Sequence, residues 1–381
     1  MNSAQRILTT LAHKEADGVP FDLGGTHTTG INIHAYQALL NHLGIEEEVR
    51  ITSLSSQLAE VGETLCNLWD IDTKGMFPRS PSGWRLQIED EGRYWSYFDE
   101  WGIKWSMPKE GGHYYDIRQY PLQGCDIGDL GKYPWPNPRD PARIEGLRGE
   151  AIRLRESGRA VLMAGTMGNG FLHTGNWLES YEDFLIDLAC NPDKACMVMD
   201  KVLEIKLEYW DMVLGEVGDL VHIVCEVDDL GAQGGPLVSP DMYRRLIKPR
   251  QQQLFSFIKK RAPHVKIFFH SCGSVYQLIA DLIEVGVDIL NPVQVAAADM
   301  DTKRLKKEFG RDIVFWGGGV DTQRVLPYGT PQEVKDEVKQ RIDDLAPGGG
   351  FVFATVHNIQ GDVPPENIVA MWEAVMEYGR Y

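Results

Sequence analysis

At 381 residues, with 43% hydrophobic and 24% charged, the chain is long enough for one large α/β barrel or two ordinary domains and can bury a sizeable core. Its formal net charge of −17 excludes partners that demand a basic face, nucleic acid and anionic membrane surfaces alike. No apolar run approaches the roughly 20 residues of a spanning helix, and the polar start MNSAQRILTTLAHKEADGVP is unlike a signal peptide.

In chain order, the region up to about Gly83 mixes helix with a Gly/Thr-rich stretch, FDLGGTHTTGINIHAYQALLNHLGI, whose loop 24–30 leads into a helix from about Asn32. Residues 84–115 alternate polar and aromatic side chains, which predicts antiparallel strands with a turn at Glu91–Gly92. Those aromatics either pack on one another or wall a pocket for a flat ring. From about Pro141 the rhythm becomes strand, loop, helix. AVLMAGTMG is a strand with a Gly-rich loop, and residues 181–218 carry one long helical pattern. LVHIVCEVDD is a strand followed by a Ser-Pro helix over 239–263, and HVKIFFHSC is a strand followed by the helix YQLIADLIEVG. VDILNPVQ, DIVFWGGGVD and GFVFATVHNIQ are strands, each followed by a helix with Pro or Asp at its start and Gly at its end.

Strands alternating with amphipathic helices imply a parallel sheet. The G-x-G-x-x-G of an open dinucleotide fold opens no helix here. The reading is a (β/α)8 TIM barrel over residues 1–381 as a single domain. Residues 1–140 include an N-terminal helical segment and an aromatic-rich antiparallel insertion. The six scattered cysteines lack disulfide spacing, so a reducing, cytoplasmic setting is expected, most thiols being core residues.

Barrel chemistry sits at the C-terminal strand ends. His270 and Cys272 alternate at one such end, about 6.5–7 Å apart at Cα and on one side of the chain. That arrangement suits two ligands of one zinc ion, although a strand-end histidine bonded to a carbonyl and an inert thiol is the commoner outcome. His357 ends a later strand and is the candidate third ligand, with Glu226 as a carboxylate that could bind fourth. Asp228 and Asp229 are candidate catalytic acids or orienting partners, the alternative being a cap on the following turn or helix. His27, Asn169, Gln233, Asn291 and Trp316 are candidate substrate contacts by strand-end or loop position, and His173 is ambiguous.

On these segments the chain resembles the uroporphyrinogen decarboxylase superfamily, within it the cobalamin-dependent methyltransferase and O-demethylase branch. The likeness runs from RILTTLAHKEADGVPFDLGG through DDLGAQGGPLVSPDMYRRLIKPR and FFHSCGSVYQLIADLIEVGVDILNPVQ to GGGFVFATVHNIQGDVPPENIVAMWEA. Zinc methyltransferases of that branch carry His-x-Cys after one strand, matched by His270 and Cys272, and a cysteine before a P-P-E-N-I-type helix start. Here that third position is His357. True decarboxylases carry an Arg-rich N-terminal segment for substrate carboxylates, whereas this chain has no arginine between Arg6 and Arg50.

The resemblance implies a Zn2+ enzyme that moves a methyl group from a small-molecule donor, with an aryl methyl ether first, to the Co(I) of a corrinoid. No D-x-H-x-x-G cobalamin motif is present, so the cobalamin rides on a partner corrinoid protein. Exchanging a thiolate for imidazole makes the zinc more positive and better suited to oxygen or nitrogen. The alternatives are transfer from the corrinoid to a thiol or pterin, a decarboxylase-like enzyme, and a non-enzymatic tetrapyrrole or corrinoid-protein binder. A homodimer is compatible with each.

Overall fold

In the computed structural model, which describes residues 1–381, seven strands run parallel in one curled sheet. They are β1 (Thr73–Met76), β2 (Ala160–Met163), β3 (Ile223–Val227), β4 (Lys266–His270), β5 (Ile289–Asn291), β6 (Val314–Trp316) and β7 (Phe351–Val352), neighbours in space in that order. An eighth, minimal segment closes the ring. Phe353 N–H donates to Pro20 O (2.8 Å), Asp22 N–H to Phe353 O (2.9 Å) and Asp72 N–H to Phe21 O (2.9 Å), which places residues 20–22 between β7 and β1. The alternation of strands and helices therefore builds the expected (β/α)8 barrel.

The closing seam depends on a side chain. Phe21 N–H finds Asp72 Oδ2 at 2.8 Å instead of a backbone carbonyl. Asp72 is buried, and its other oxygen accepts from Arg6 Nη1 at 2.5 Å. Arg6 stands on helix α1 (Ser3–Leu11), which starts in a capping box between Asn2 and Gln5. Burial pushes the Asp72 carboxyl up to about 6 against the pull of Arg6.

Period-two alternation divides the strand residues between two cores. Leu162, Cys225, Phe268, Val314, Trp316 and Val352 fill the barrel interior. Phe269, Leu290 and Phe315 face the helices in the larger core. Phe269, for example, lies edge-on to Phe255 of the helix Lys248–Arg261 at 5.9 Å.

Two helical readings need correction. The single pattern expected over 181–218 is two helices, Tyr181–Cys190 and Pro192–Val217, because Pro192 starts a new first turn. A further helix, α2 (Phe171–Glu179), precedes them with no polar N-cap side chain in the sequence to announce it. The Ser-Pro helix also widens into π turns over Tyr243–Ile247, since Pro249 in the next turn brings no N–H.

The insertion is a four-stranded antiparallel sheet of Glu89–Glu91, Tyr94–Phe98, Lys104–Pro108 and Asp116–Gln119, with Gly92 at φ 72° in its first turn. Its aromatics pack chiefly on one another: Tyr97 stacks on Trp105 (6.5 Å) and meets Tyr115 edge-on (5.1 Å). Trp105 also meets Trp177 of α2 at 5.0 Å, which ties the insertion to the barrel mouth. No helix is long and apolar enough to cross a membrane.

Asp72→Ala strands the buried Phe21 N–H and removes the buried partner of Arg6, which keeps Asp17 at 2.8 Å, so it should cost about 2–4 kcal/mol, read as a large drop in thermal midpoint. Asp70→Ala removes a weak partner of the same arginine, 69% exposed and 3.3 Å away, and should change stability by less than about 1 kcal/mol. Equal effects would refute the seam role.

Candidate metal centre

Phe268 and His270 are the inward-facing residues at the end of β4, and the same alternation carries Cys272 to that side beyond the strand. His270 Nε2 lies 3.3 Å from Cys272 Sγ. His357, in the loop after β7, brings its ring edge-on to His270 with centroids 5.5 Å apart. One donor atom from each of His270, Cys272 and His357 lies within 4.8 Å of the other two. Two imidazoles and a thiol at this separation match the donor chemistry of zinc, whose bonds are about 2.0–2.3 Å long.

Their protonation suits a metal. Burial holds both imidazoles below the usual histidine range, His357 at about 4, so each is neutral near pH 7. Burial, reinforced by Asp229, pushes the Cys272 thiol upward, so without a cation it keeps its proton. Asp229 borders the group: Oδ1 accepts from Cys272 N–H (2.9 Å) and stands 3.7 Å from His270 Nε2, and Oδ2 stands 3.6 Å from His173 Nδ1. Burial opposes its ionisation, but His173, His270 and the Cys272 N–H bring its carboxyl below the ordinary value.

Glu226 does not join the triad. Strand parity turns Cys225 and Val227 toward the cavity and Glu226 toward the helices. There Glu226 accepts from Lys206 Nζ (2.8 Å) and Trp210 Nε1 (2.6 Å), both buried. Asp228 is spent as a cap. Its carboxylate accepts the N–H groups of Phe171, Leu172 and His173 at 3.0, 3.3 and 2.9 Å, holding the start of α2. Gly170 is required beside it, since a Cβ there would lie 2.2 Å from the Asp228 side chain. The helix capped is the one that follows β2, not the one that follows β3.

Trp316 points into the barrel interior, its indole donating to buried Asp22 at 2.8 Å. Gln233 sits on the hairpin Gly231–Pro236 and lines a separate groove with Asp321 and Arg324. Asn291 is fully buried against His270. His27 and Asn169 do reach the cavity. His27 stacks on Phe77 at 4.1 Å, and Asn169 lies 3.4 Å from His173.

The cavity encloses about 540 Å3, with His270, His357 and Asp229 in its wall. Only 7 of its 28 lining residues are hydrophobic. Thr28, Ser55, Ser56, Ser80, Thr166 and Asn358 give it a hydroxyl and amide surface. From the aromatic stretch 84–115 only Glu100 reaches the lining, bound to the Arg143 guanidinium. The aromatic side chains stand one layer back. Thr166 and Asn358 follow strand ends, but sequence reasoning missed Ser55, Ser56, Ser80 and the Arg143–Glu100 pair, which follow no motif and sit at no barrel strand end.

A family model described as uroporphyrinogen decarboxylase (URO-D) matches residues 119–378. Curated relatives include the uroporphyrinogen decarboxylase of Geobacter sulfurreducens, 22% identical over 256 residues that cover 65% of this chain and 69% of that protein. The corresponding enzyme of Alkalilimnicola ehrlichii is 24% identical over 280 residues, covering 71% and 70%. Among solved structures, a methyltransferase from Methanosarcina mazei shares the fold over 99% of both chains, with a TM-score of 0.63 and 18% sequence identity.

If the triad takes zinc, Cys272 must lose its proton while both imidazoles are already neutral. Binding should then release about one proton near pH 7, and affinity should rise about tenfold per pH unit between about 6 and 8. Calorimetry in buffers of differing ionisation enthalpy measures this. Cys272→Ala and His357→Ala should lose the metal, whereas Glu226→Gln should keep it and lower the thermal midpoint.

Proposed function

We propose that this chain, which belongs to the uroporphyrinogen decarboxylase family, is a zinc-dependent methyltransferase that passes a methyl group from a small methylated compound to the Co(I) of a corrinoid carried by a partner protein. The observation that carries this reading is the convergence of His270, Cys272 and His357 beside a polar cavity at the C-terminal barrel face, with both imidazoles in its wall. Decarboxylation of a substrate with many carboxylates fits less well. The loop 24–30 presents Thr26, His27 and Thr28 to the cavity, and of the cavity's two arginines Arg143 is matched by Glu100, which leaves Arg79 alone to meet several carboxylates.

His270, Cys272 and His357 would hold the ion, leaving a position open to substrate. With one thiolate and two neutral imidazoles the bound site carries a net charge of +1 and supplies Lewis acidity toward an ether, alcohol or amine. The remaining work falls to the chain. Asp229 holds the Cys272 backbone N–H, and His173 lines the cavity beside it, 3.6 Å from its other oxygen. Phe77 and Trp177 offer apolar faces within an otherwise hydroxyl-lined wall. That combination favours a methoxyarene bearing further oxygen substituents over a bare aryl ether. When present, the Co(I) corrinoid would supply the electron pair for the new bond to the methyl carbon as the donor's carbon–oxygen bond breaks and its pair leaves with oxygen.

The test mixes the zinc-loaded protein, a Co(I) corrinoid and candidate donors. Loss of the Co(I) spectrum with oxygenated methoxyarenes is expected, slowed at least about 100-fold in Cys272→Ala, equivalent to about 2.7 kcal/mol of barrier. No spectral change with methoxyarenes, methylamines or methanol would refute the reading.

A further inference from the structure

We infer that Asn291 is a positioning residue that fixes His270 in the tautomer whose Nε2 is free for a metal; the inference rests on the metal reading of the triad. The two side chains meet through strand register, since β4 and β5 pair His270 directly with Asn291 and both face inward. Asn291 is wholly buried, and its Nδ2 donates to the Trp316 carbonyl at 2.8 Å. A carbonyl oxygen can only accept, so that contact sets which way the amide points and turns Oδ1 toward His270.

Oδ1 lies 2.6 Å from His270 Nδ1. An oxygen acceptor at that distance requires the proton on Nδ1. A neutral imidazole has one N–H, so Nε2 keeps its lone pair and directs it at Cys272 Sγ, 3.3 Å away. Free neutral histidine in water prefers the opposite tautomer, with Nε2 protonated, and an unassisted His270 would present the wrong nitrogen to the triad.

The anchor is itself held. The Trp316 indole is pinned by Asp22, and Gly317 follows at φ 87°, where a Cβ would press to 3.0 Å from Asn291 Nδ2. Thr28 Oγ1 donates a second bond to Asn291 Oδ1 at 3.3 Å, which occupies the remaining lone pair. With its oxygen saturated and no exposed surface, Asn291 has nothing left to offer a substrate, contrary to the role its strand-end position suggests. It acts on the metal through His270, as partners of ligating histidines characteristically do.

Two measurements test this. Nitrogen NMR of the metal-free, histidine-labelled protein near neutral pH should show His270 protonated at Nδ1, its signals assigned by their loss in His270→Gln. Asn291→Leu keeps the volume and removes the acceptor. It should shift His270 toward the Nε2-protonated form and weaken zinc binding about 10–100-fold in competition with a chromophoric chelator. An Nε2-protonated His270 in the unaltered protein overturns the inference, as does zinc affinity in Asn291→Leu within about threefold of the original. Should Asn291→Leu fail to fold, the NMR result on the unaltered protein decides. An Nδ1-protonated His270 in a protein that takes up no zinc supports the positioning role and refutes the metal reading alone.

Discussion

The two-residue alternation of a barrel strand is the constraint on which the site depends. Each strand residue faces either the enclosed interior or the helix layer. On β4 that choice puts Phe268 and His270 inside and Phe269 outside against Phe255. On β3 it puts Cys225 inside and sends Glu226 to Lys206 and Trp210. A shift of one residue in β4 would exchange the candidate donor His270 for phenylalanine, and one in β3 would bring the buried Glu226–Lys206 pair into the cavity. Closure of the ring holds the parity fixed, and at residues 20–22 it rests on Asp72 taking the place of a missing backbone acceptor.

Much of this fold is legible in the sequence because its signals are local. Ser-Pro and Thr-Pro starts, glycine stops and apolar strand cores mark the strand–helix units. His270 and Cys272 are legible for the same reason, two residues apart at a strand end, and His357 follows once the barrel is recognised. Glu226 was misjudged because strand-end position was weighed without parity. Of the three carboxylates at the end of β3, Glu226 and Asp228 turn away from the cavity and Asp229 lines it, and the sequence does not state which of them looks inward. Asp228 reads as a catalytic acid until α2 is known. That helix starts at Gly170 with no side-chain cap of its own, so its cap comes from another strand. Long-range partnerships of this kind, like that of Asn291 with Trp316, leave no local mark.

The cavity shows how composition can point the wrong way about surface. Nine aromatic residues between Trp84 and Tyr115 suggest an apolar pocket wall, yet none lines the cavity: Tyr97, Trp105 and Tyr115 pack on one another, with Trp105 behind Trp177 and Tyr115 N–H on Ser55 O. Much of the inner surface comes from residues 26–28 of the Gly/Thr-rich loop and from the Thr- and Ser-containing segment 52–56, the latter unremarkable in sequence. Side chains that can donate and accept line the site, and large rings support it from outside.

One further consequence lies in the segment that carries the third donor. Asn358, next to His357, accepts Gly30 N–H at 2.8 Å, and Ile359 N–H donates to Gly30 O at 3.0 Å. The loop that lines the cavity with His27 and Thr28 and the loop that presents His357 are thus stitched into a single unit. Displacing one strains the other. If the triad takes a metal and the wall a small molecule, binding at one would then change affinity at the other, by the same factor in both directions.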